Sequence, residues 1–69
     1  MITLREIQKK IAEAIAASGM TQSALAAALG VSQQTVSHYV KGDKMPALDT
    51  LANLCRVLDA DANEILCIK

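Results

Sequence analysis

The chain has 69 residues, with seven basic and seven acidic side chains, one histidine and one aromatic residue. This length predicts a single domain over 1–69, and no apolar run approaches the roughly 20 residues that span a bilayer. The N-terminus mixes charged with apolar residues and lacks a signal-peptide pattern, so we expect a cytoplasmic protein with no membrane partner. The sequence offers no nucleophile–base set and no cluster of metal ligands, which argues against an enzyme, a bound metal or a cofactor.

Good helix formers dominate the composition and predict an all-α fold, a compact bundle of five short helices. In the first segment, apolar residues recur at spacings of three and four, at Leu4, Ile7, Ile11 and Ile15. This pattern predicts an amphipathic helix over 3–18 that ends at Gly19. The charged residues of this helix, Lys9 and Lys10 among them, lie on its opposite face, and we interpret that face as solvated. A phosphate contact from Lys9 or Lys10 is the alternative.

Residues 21–41 predict two short helices joined by a tight turn, a helix-turn-helix unit. Thr21 is expected to cap the first of these helices and Ser32 the second, because a hydroxyl oxygen can accept the free N–H groups of a first turn. Ala26 is small enough to let two helix backbones approach each other. Gly30 tolerates the positive φ that the turn requires.

The second helix of this unit is predicted at about 33–40 and divides into two arcs when drawn at 100° per residue. Val36, Tyr39 and Val40 form an apolar arc that we expect to pack inward. The opposite arc is polar, carries no acid, and consists of Gln33, Gln34, Ser37, His38 and Lys41.

A loop over 41–46 separates this helix from a fourth, predicted at 48–58. The fourth helix is expected to bury the apolar residues Leu48, Leu51, Ala52, Cys55 and Leu58. Ala47 stands at its N-cap and offers no capping oxygen. Asp59 follows it at a position that favours the left-handed conformation, which Asp tolerates better than most residues.

Asp61 and Glu64 predict a capping box for a last helix over 62–66. The chain then ends on an apolar run over 65–68, which we hypothesise to form a two-fold dimer contact. Cys55 and Cys67 both fall at apolar positions that we assign to helices, so we expect free thiols rather than a disulfide.

The packing residues of this helix-turn-helix unit resemble those of a known family. The chain is similar to Cro/CI-type (XRE-like) helix-turn-helix regulators, whose packing positions are matched by Ala26, Gly30, Val31, Val36 and Tyr39. The run Ser-Gln-Gln-Thr-Val over 32–36 resembles the start of the recognition helix of a lambdoid phage repressor. The resemblance extends over about 4–66 and implies a lambda-repressor-like bundle that binds double-stranded DNA as a homodimer and represses transcription. Ile15 and Val40 depart from the Arg and Glu that several phage repressors pair beneath the motif, and we expect them to pack as apolar residues instead.

The resemblance and the polar arc together imply a set of DNA contacts. Gln33 and Gln34 are the principal candidates for base contacts, because a carboxamide matches N6 and N7 of adenine in the major groove. Ser37 and His38, on the same helix, complete the predicted base-contacting set. The predicted contacts to the DNA backbone are Gln22, Ser32, Thr35, Lys41 and Lys44.

Charge distribution leaves a second interpretation open. No Asp, Glu, Lys or Arg occurs between Ala14 and Val40, and the acids of the last third, Asp49, Asp59, Asp61 and Glu64, are expected on the opposite side. A neutral binding surface predicts nonspecific DNA binding that is weaker and less salt-sensitive than in basic relatives. Together with the apolar tail, it also suits a protein-interaction module on the same fold. The sequence does not separate a phage regulator, a small chromosomal repressor and an antitoxin with a toxin partner.

Overall fold

A computed structural model describes all 69 residues and contains five α-helices and no strand. The helices are α1 (Leu4–Ser18), α2 (Gln22–Leu29), α3 (Gln33–Lys41), α4 (Leu48–Leu58) and α5 (Ala62–Ile65). The all-α bundle of five short helices is therefore confirmed. Compared with the predicted bounds, α1 begins one residue later, α3 is one residue longer and α5 is one residue shorter. None of the five combines the length and apolar character needed to cross a membrane.

The predicted hydroxyl caps are present at the start of α2 and α3. Thr21 Oγ1 accepts the N–H of Ala24 at 3.0 Å, and Ser32 Oγ accepts the N–H of Thr35 at 3.1 Å. Each bond pairs one of the N–H groups that a first turn leaves without a helical acceptor. Local chemistry thus sets where both helices of the motif begin.

The start of α4 lacks such a bond. Ala47 has the extended backbone of an N-cap (φ −62°, ψ 162°) and forms no side-chain capping hydrogen bond. The N–H of Thr50 already donates to the Asp49 carboxylate at 2.9 Å, which leaves the N–H of Asp49 free in the first turn. We expect Ala47→Ser to raise the free energy of unfolding by about 1 kcal/mol, because the new hydroxyl would pair this N–H. Urea denaturation measures the change, and Thr21→Ala serves as the converse control, with an expected loss of similar size. An Ala47→Ser variant no more stable than the parent protein would contradict this account of the cap.

All five helices contribute to one core with no buried polar or charged side chain. Its buried members are Ile11, Ile15, Leu25, Ala26, Val36, Tyr39, Leu51, Leu54, Cys55 and Ile65. Burial raises the pKa of the Tyr39 phenol and also that of the Cys55 thiol, where the Asp61 charge adds to the effect. Both groups therefore stay uncharged at neutral pH, as their positions in the core require.

Four residues predicted to be buried lie at the surface instead. Leu4 and Leu48 are 64% and 85% exposed, because each is the first residue of its helix and no other helix covers it. Ala52 is exposed because the buried arc of α4 is rotated toward Leu54, a core residue that the sequence pattern missed. Val40 is 36% exposed, so the prediction that it packs inward is wrong, whereas Ile15 is buried as expected.

The C-terminal segment departs from prediction in two respects. The Asp61 carboxylate accepts the N–H of Asn63 at 2.9 Å and the ammonium of Lys69 at 2.7 Å, and Glu64 returns no side-chain bond, so the predicted capping box is not formed. Hydrogen bonds from Lys69 and Asn63 lower the pKa of Asp61. Cys67 lies beyond α5 with φ 63° rather than within a helix, and both cysteines are free thiols.

Candidate DNA-binding surface

The turn between α2 and α3 holds the two helices in a fixed relation. Gly30 has φ 71°, and the N–H of Val31 donates to the Ala26 carbonyl at 3.0 Å. Such a returning bond is typical of a helix end closed by a left-handed glycine. The small Ala26 is itself buried where α2 meets α3, as the sequence predicts. The chain therefore enters α3 at an angle fixed by the turn and by the core.

The inner side of α3 is anchored on α1 and α2 through Val36 and Tyr39, both buried. The opposite side is open. Gln33 and Gln34 are exposed at the first turn of α3, and neither carboxamide is hydrogen-bonded to another group of the chain. Two adjacent amides with free donors and acceptors thus project from one side of α3, while its other side is packed in the core.

Ser37 and His38 lie further along the same helix. Ser37 is half-buried and follows Gln33 by one helical turn, so the two share a face. The imidazole of His38 is exposed, and its Nδ1 is 2.8 Å from a carboxylate oxygen of Asp43. Because an ionised carboxylate only accepts, Nδ1–H is the donor, and Nε2 is the ring nitrogen left for another partner.

Asp43 is the residue of this surface that sequence reasoning missed. The N–H of Asp43 donates to the His38 carbonyl at 3.2 Å, while the N–H of Gly42 donates to the carbonyls of His38 and Tyr39. This pattern of returning bonds brings the residue after a left-handed glycine back over the last turn of the helix. Gly is the residue that most often ends a helix in this way, so the placement of Asp43 beside His38 could have been inferred from Gly42.

The residues predicted to contact the DNA backbone lie at three places. Near the start of α3, the hydroxyls of Ser32 and Thr35 are 2.8 Å apart and bond to each other. Gln22 is half-buried in the first turn of α2. Lys41 and Lys44 are exposed at and beyond the end of α3, and neither forms a salt bridge.

Acidic side chains concentrate elsewhere on the molecule. A groove between α1 and the α4–α5 junction is lined by Glu13, Asp59, Asp61 and Glu64, with Lys10 at its edge and no residue of α2 or α3. Four acids were expected to lie away from the polar arc, and three of them, Asp59, Asp61 and Glu64, line this groove. Asp49 lies apart from them, in the first turn of α4. No group of three or more His, Cys, Asp or Glu side chains is arranged to hold a metal ion.

A comparison with protein families gives the context of this arrangement. A family model described as helix-turn-helix matches residues 11–65, which include the second half of α1 and all of α2 to α5. No curated protein and no solved structure matches the chain. The matched residues cover well over half of the chain, and they contain the turn, the buried packing positions and the exposed amides described above. The chain belongs to the XRE-like helix-turn-helix family of the Cro/CI type, a family of DNA-binding transcriptional regulators.

Proposed function

We propose that this protein is a sequence-specific transcriptional repressor that inserts the first turn of α3 into the major groove of double-stranded DNA. The observation that carries the proposal is the pair of free carboxamides, Gln33 and Gln34, on the open side of a helix fixed by the core. A fixed helix matters because base discrimination requires donors and acceptors held in register with the base edges.

Each glutamine offers an N–H donor and a C=O acceptor side by side, which match N7 and N6 of adenine. A good pair of this kind discriminates against a wrong base by about 1–3 kcal/mol. Ser37 lies on the same face one turn later and supplies a hydroxyl to a neighbouring base or a bridging water. In the neutral ring, the proton that Asp43 holds at Nδ1 leaves Nε2 of His38 as an acceptor suited to a base amino group, whereas in the protonated ring Nε2–H is a donor.

Backbone contacts would fix the orientation of α3 without contributing sequence information. The bond between the hydroxyls of Ser32 and Thr35 uses one of their two protons, so one proton remains to donate to a phosphate oxygen. Gln22 lies where the free N–H groups and the dipole of α2 favour an anion. Lys41 and Lys44 supply charge at the other end of α3.

Dimerisation completes the proposal, because a single module of this size rarely reaches useful specificity. Two copies would place their α3 helices about 34 Å apart, one turn of the duplex. Partial burial of the apolar tail over 65–68 limits its contribution to a dimer contact. Ile65 is buried in the core of its own chain, and Ile68, 62% exposed, is the apolar tail residue left for a partner copy.

The alternative of a protein-interaction module finds less support at α3. Interfaces between proteins depend on buried aromatic or apolar anchors. The open side of α3 instead carries amide, hydroxyl, imidazole and ammonium groups, and the most exposed large apolar residues, Met1, Leu48, Leu4 and Ile68, belong to other segments. An antitoxin would use the same DNA-contacting surface, so that possibility changes the partner protein and not the DNA contact.

A salt titration of duplex binding tests the proposal. A preferred duplex is first selected from a random pool, and its affinity is then compared with that of a random duplex between 50 and 200 mM salt, a range over which phosphate contacts are strongly weakened. We expect the selected duplex to bind at least about 10³-fold more tightly, as specific regulators do. A protein that binds neither duplex at the lowest salt would contradict the proposal.

A further inference from the structure

A second groove lies on the other flank of α1, between that helix and the last turn of α3. Its charged lining residues are Arg5 and Lys9 of α1 and Lys41 of α3, and no acidic residue lines it. None of the three cations forms a salt bridge within the chain. Three of the seven basic residues of a chain with no net charge are therefore gathered, unpaired, at one place beside α3.

The charges of α1 are divided between its two flanks. Arg5 and Lys9 line the groove beside α3, whereas Glu13 and Lys10 line the acidic groove beside α5. A simple solvated face would not require this separation. Arg5 also lies in the first turn of α1, where the positive end of the helix dipole disfavours a cation and favours an anion. The acid of the same turn, Glu6, lines a different groove, together with Lys10 and Lys69.

The position of this groove relative to the exposed amides suggests its ligand. Lys41 follows Gln33 by eight residues, which corresponds to about 12 Å along the helix axis. The major groove of B-DNA is also about 12 Å wide. When the first turn of α3 is at the base edges, its last turn is therefore within reach of a sugar–phosphate backbone that borders the groove.

We propose that Arg5, Lys9 and Lys41 together form a binding site for a backbone phosphate of the duplex, here called the basic groove. This inference rests on the proposed DNA binding and adds a contact from α1. Arg5 and Lys9 precede residues 11–65, so the family match does not cover them. The solvated interpretation then no longer applies to Arg5 and Lys9, but it still applies to Lys10 on the other flank.

Charge-neutralising variants of α1 test the basic groove. We compare Arg5→Gln and Lys9→Gln with Lys10→Gln, a control that removes the same charge from the same helix but on the acidic flank. The readout is the slope of log K against log salt for the selected duplex, together with the base preference. Removal of one phosphate contact should reduce the slope by about one, and the affinities for selected and random duplex should fall by the same factor.

The expected result is a reduced slope for Arg5→Gln and Lys9→Gln, an unchanged slope for Lys10→Gln, and an unchanged base preference in all three. Circular dichroism should show that Arg5→Gln melts no lower than the parent protein, which separates a binding defect from unfolding. If all three variants bind like the parent protein, or if Lys10→Gln is equally affected, the basic groove is not a phosphate site. If the parent protein binds no duplex, the proposed function itself fails.

Discussion

Replacement of either Gln33 or Gln34 by Ala is expected to remove the preference for a particular base at one position of the half-site. The side chains are exposed and form no hydrogen bond within the chain, so the loss should appear in DNA binding and not in folding. Loss of the donor and acceptor that pair with an adenine should weaken binding to the selected duplex by about 1–3 kcal/mol, or roughly 5- to 150-fold in affinity. Oligonucleotide selection with each variant measures the change.

Gln22→Ala is the matched control, because it deletes the same carboxamide from the first turn of α2 and not from α3. A backbone contact carries no sequence information, so this variant should bind every duplex more weakly by a common factor. The selected motif should stay the same. If Gln33→Ala and Gln34→Ala also leave the motif unchanged, the assignment of these residues to base contacts is wrong.

Leu54→Ala should produce the largest loss of stability among single substitutions in α4. The side chain is 1% exposed and among the largest fully buried ones in the core. Deleting it removes apolar burial and leaves a cavity, which together cost about 2–5 kcal/mol. A domain of this size is only marginally stable, so the variant should be largely unfolded at a temperature where the parent protein is folded. Urea denaturation followed by circular dichroism measures the difference.

The same substitution at Leu48 provides the control, because Leu48 lies in the same helix and is 85% exposed. Surface substitutions of this kind usually change stability by no more than about 0.5 kcal/mol. Equal destabilisation by Leu48→Ala and Leu54→Ala would mean that α4 presents a different face to the core from the one described.

The parts of the fold that depend on local chemistry were predictable from sequence. Thr21 and Ser32 cap helices because a hydroxyl can reach the first free N–H groups. Gly30 and Gly42 end helices because the left-handed conformation costs glycine little. Such signals need only a few consecutive residues, so they survive without knowledge of the tertiary structure.

Features that depend on how helices pack were harder to predict. The apolar spacing predicted a buried face of α4 that includes Leu48 and Ala52. In the structure both residues are exposed, and Leu54 is buried instead. Val40 satisfies the pattern of α3 but lies at the edge of its buried arc, beside the basic groove. Periodicity identifies that a helix has an apolar face, whereas the position of its neighbours decides how much of that face is covered.

The candidate site likewise combines features that were predictable from the sequence with features that were not. The open side of α3 and its two glutamines follow from helical geometry, which the sequence provides. The bond between His38 and Asp43 needs the returning turn at Gly42, and the basic groove needs α1 to lie alongside the end of α3. The placement of residues distant in sequence in one groove, as for Lys9 and Lys41, carries no local signal in a single sequence.

The side-chain amide resonances of Gln33 and Gln34, observed by NMR as the selected duplex is added, test the central claim most directly. Donation to a base edge would shift these N–H signals with the selected duplex and much less with a random one. We expect that result, accompanied by unchanged signals from the acidic groove around Glu64. Unshifted glutamine signals in a complex that perturbs the α1–α5 side would contradict the account.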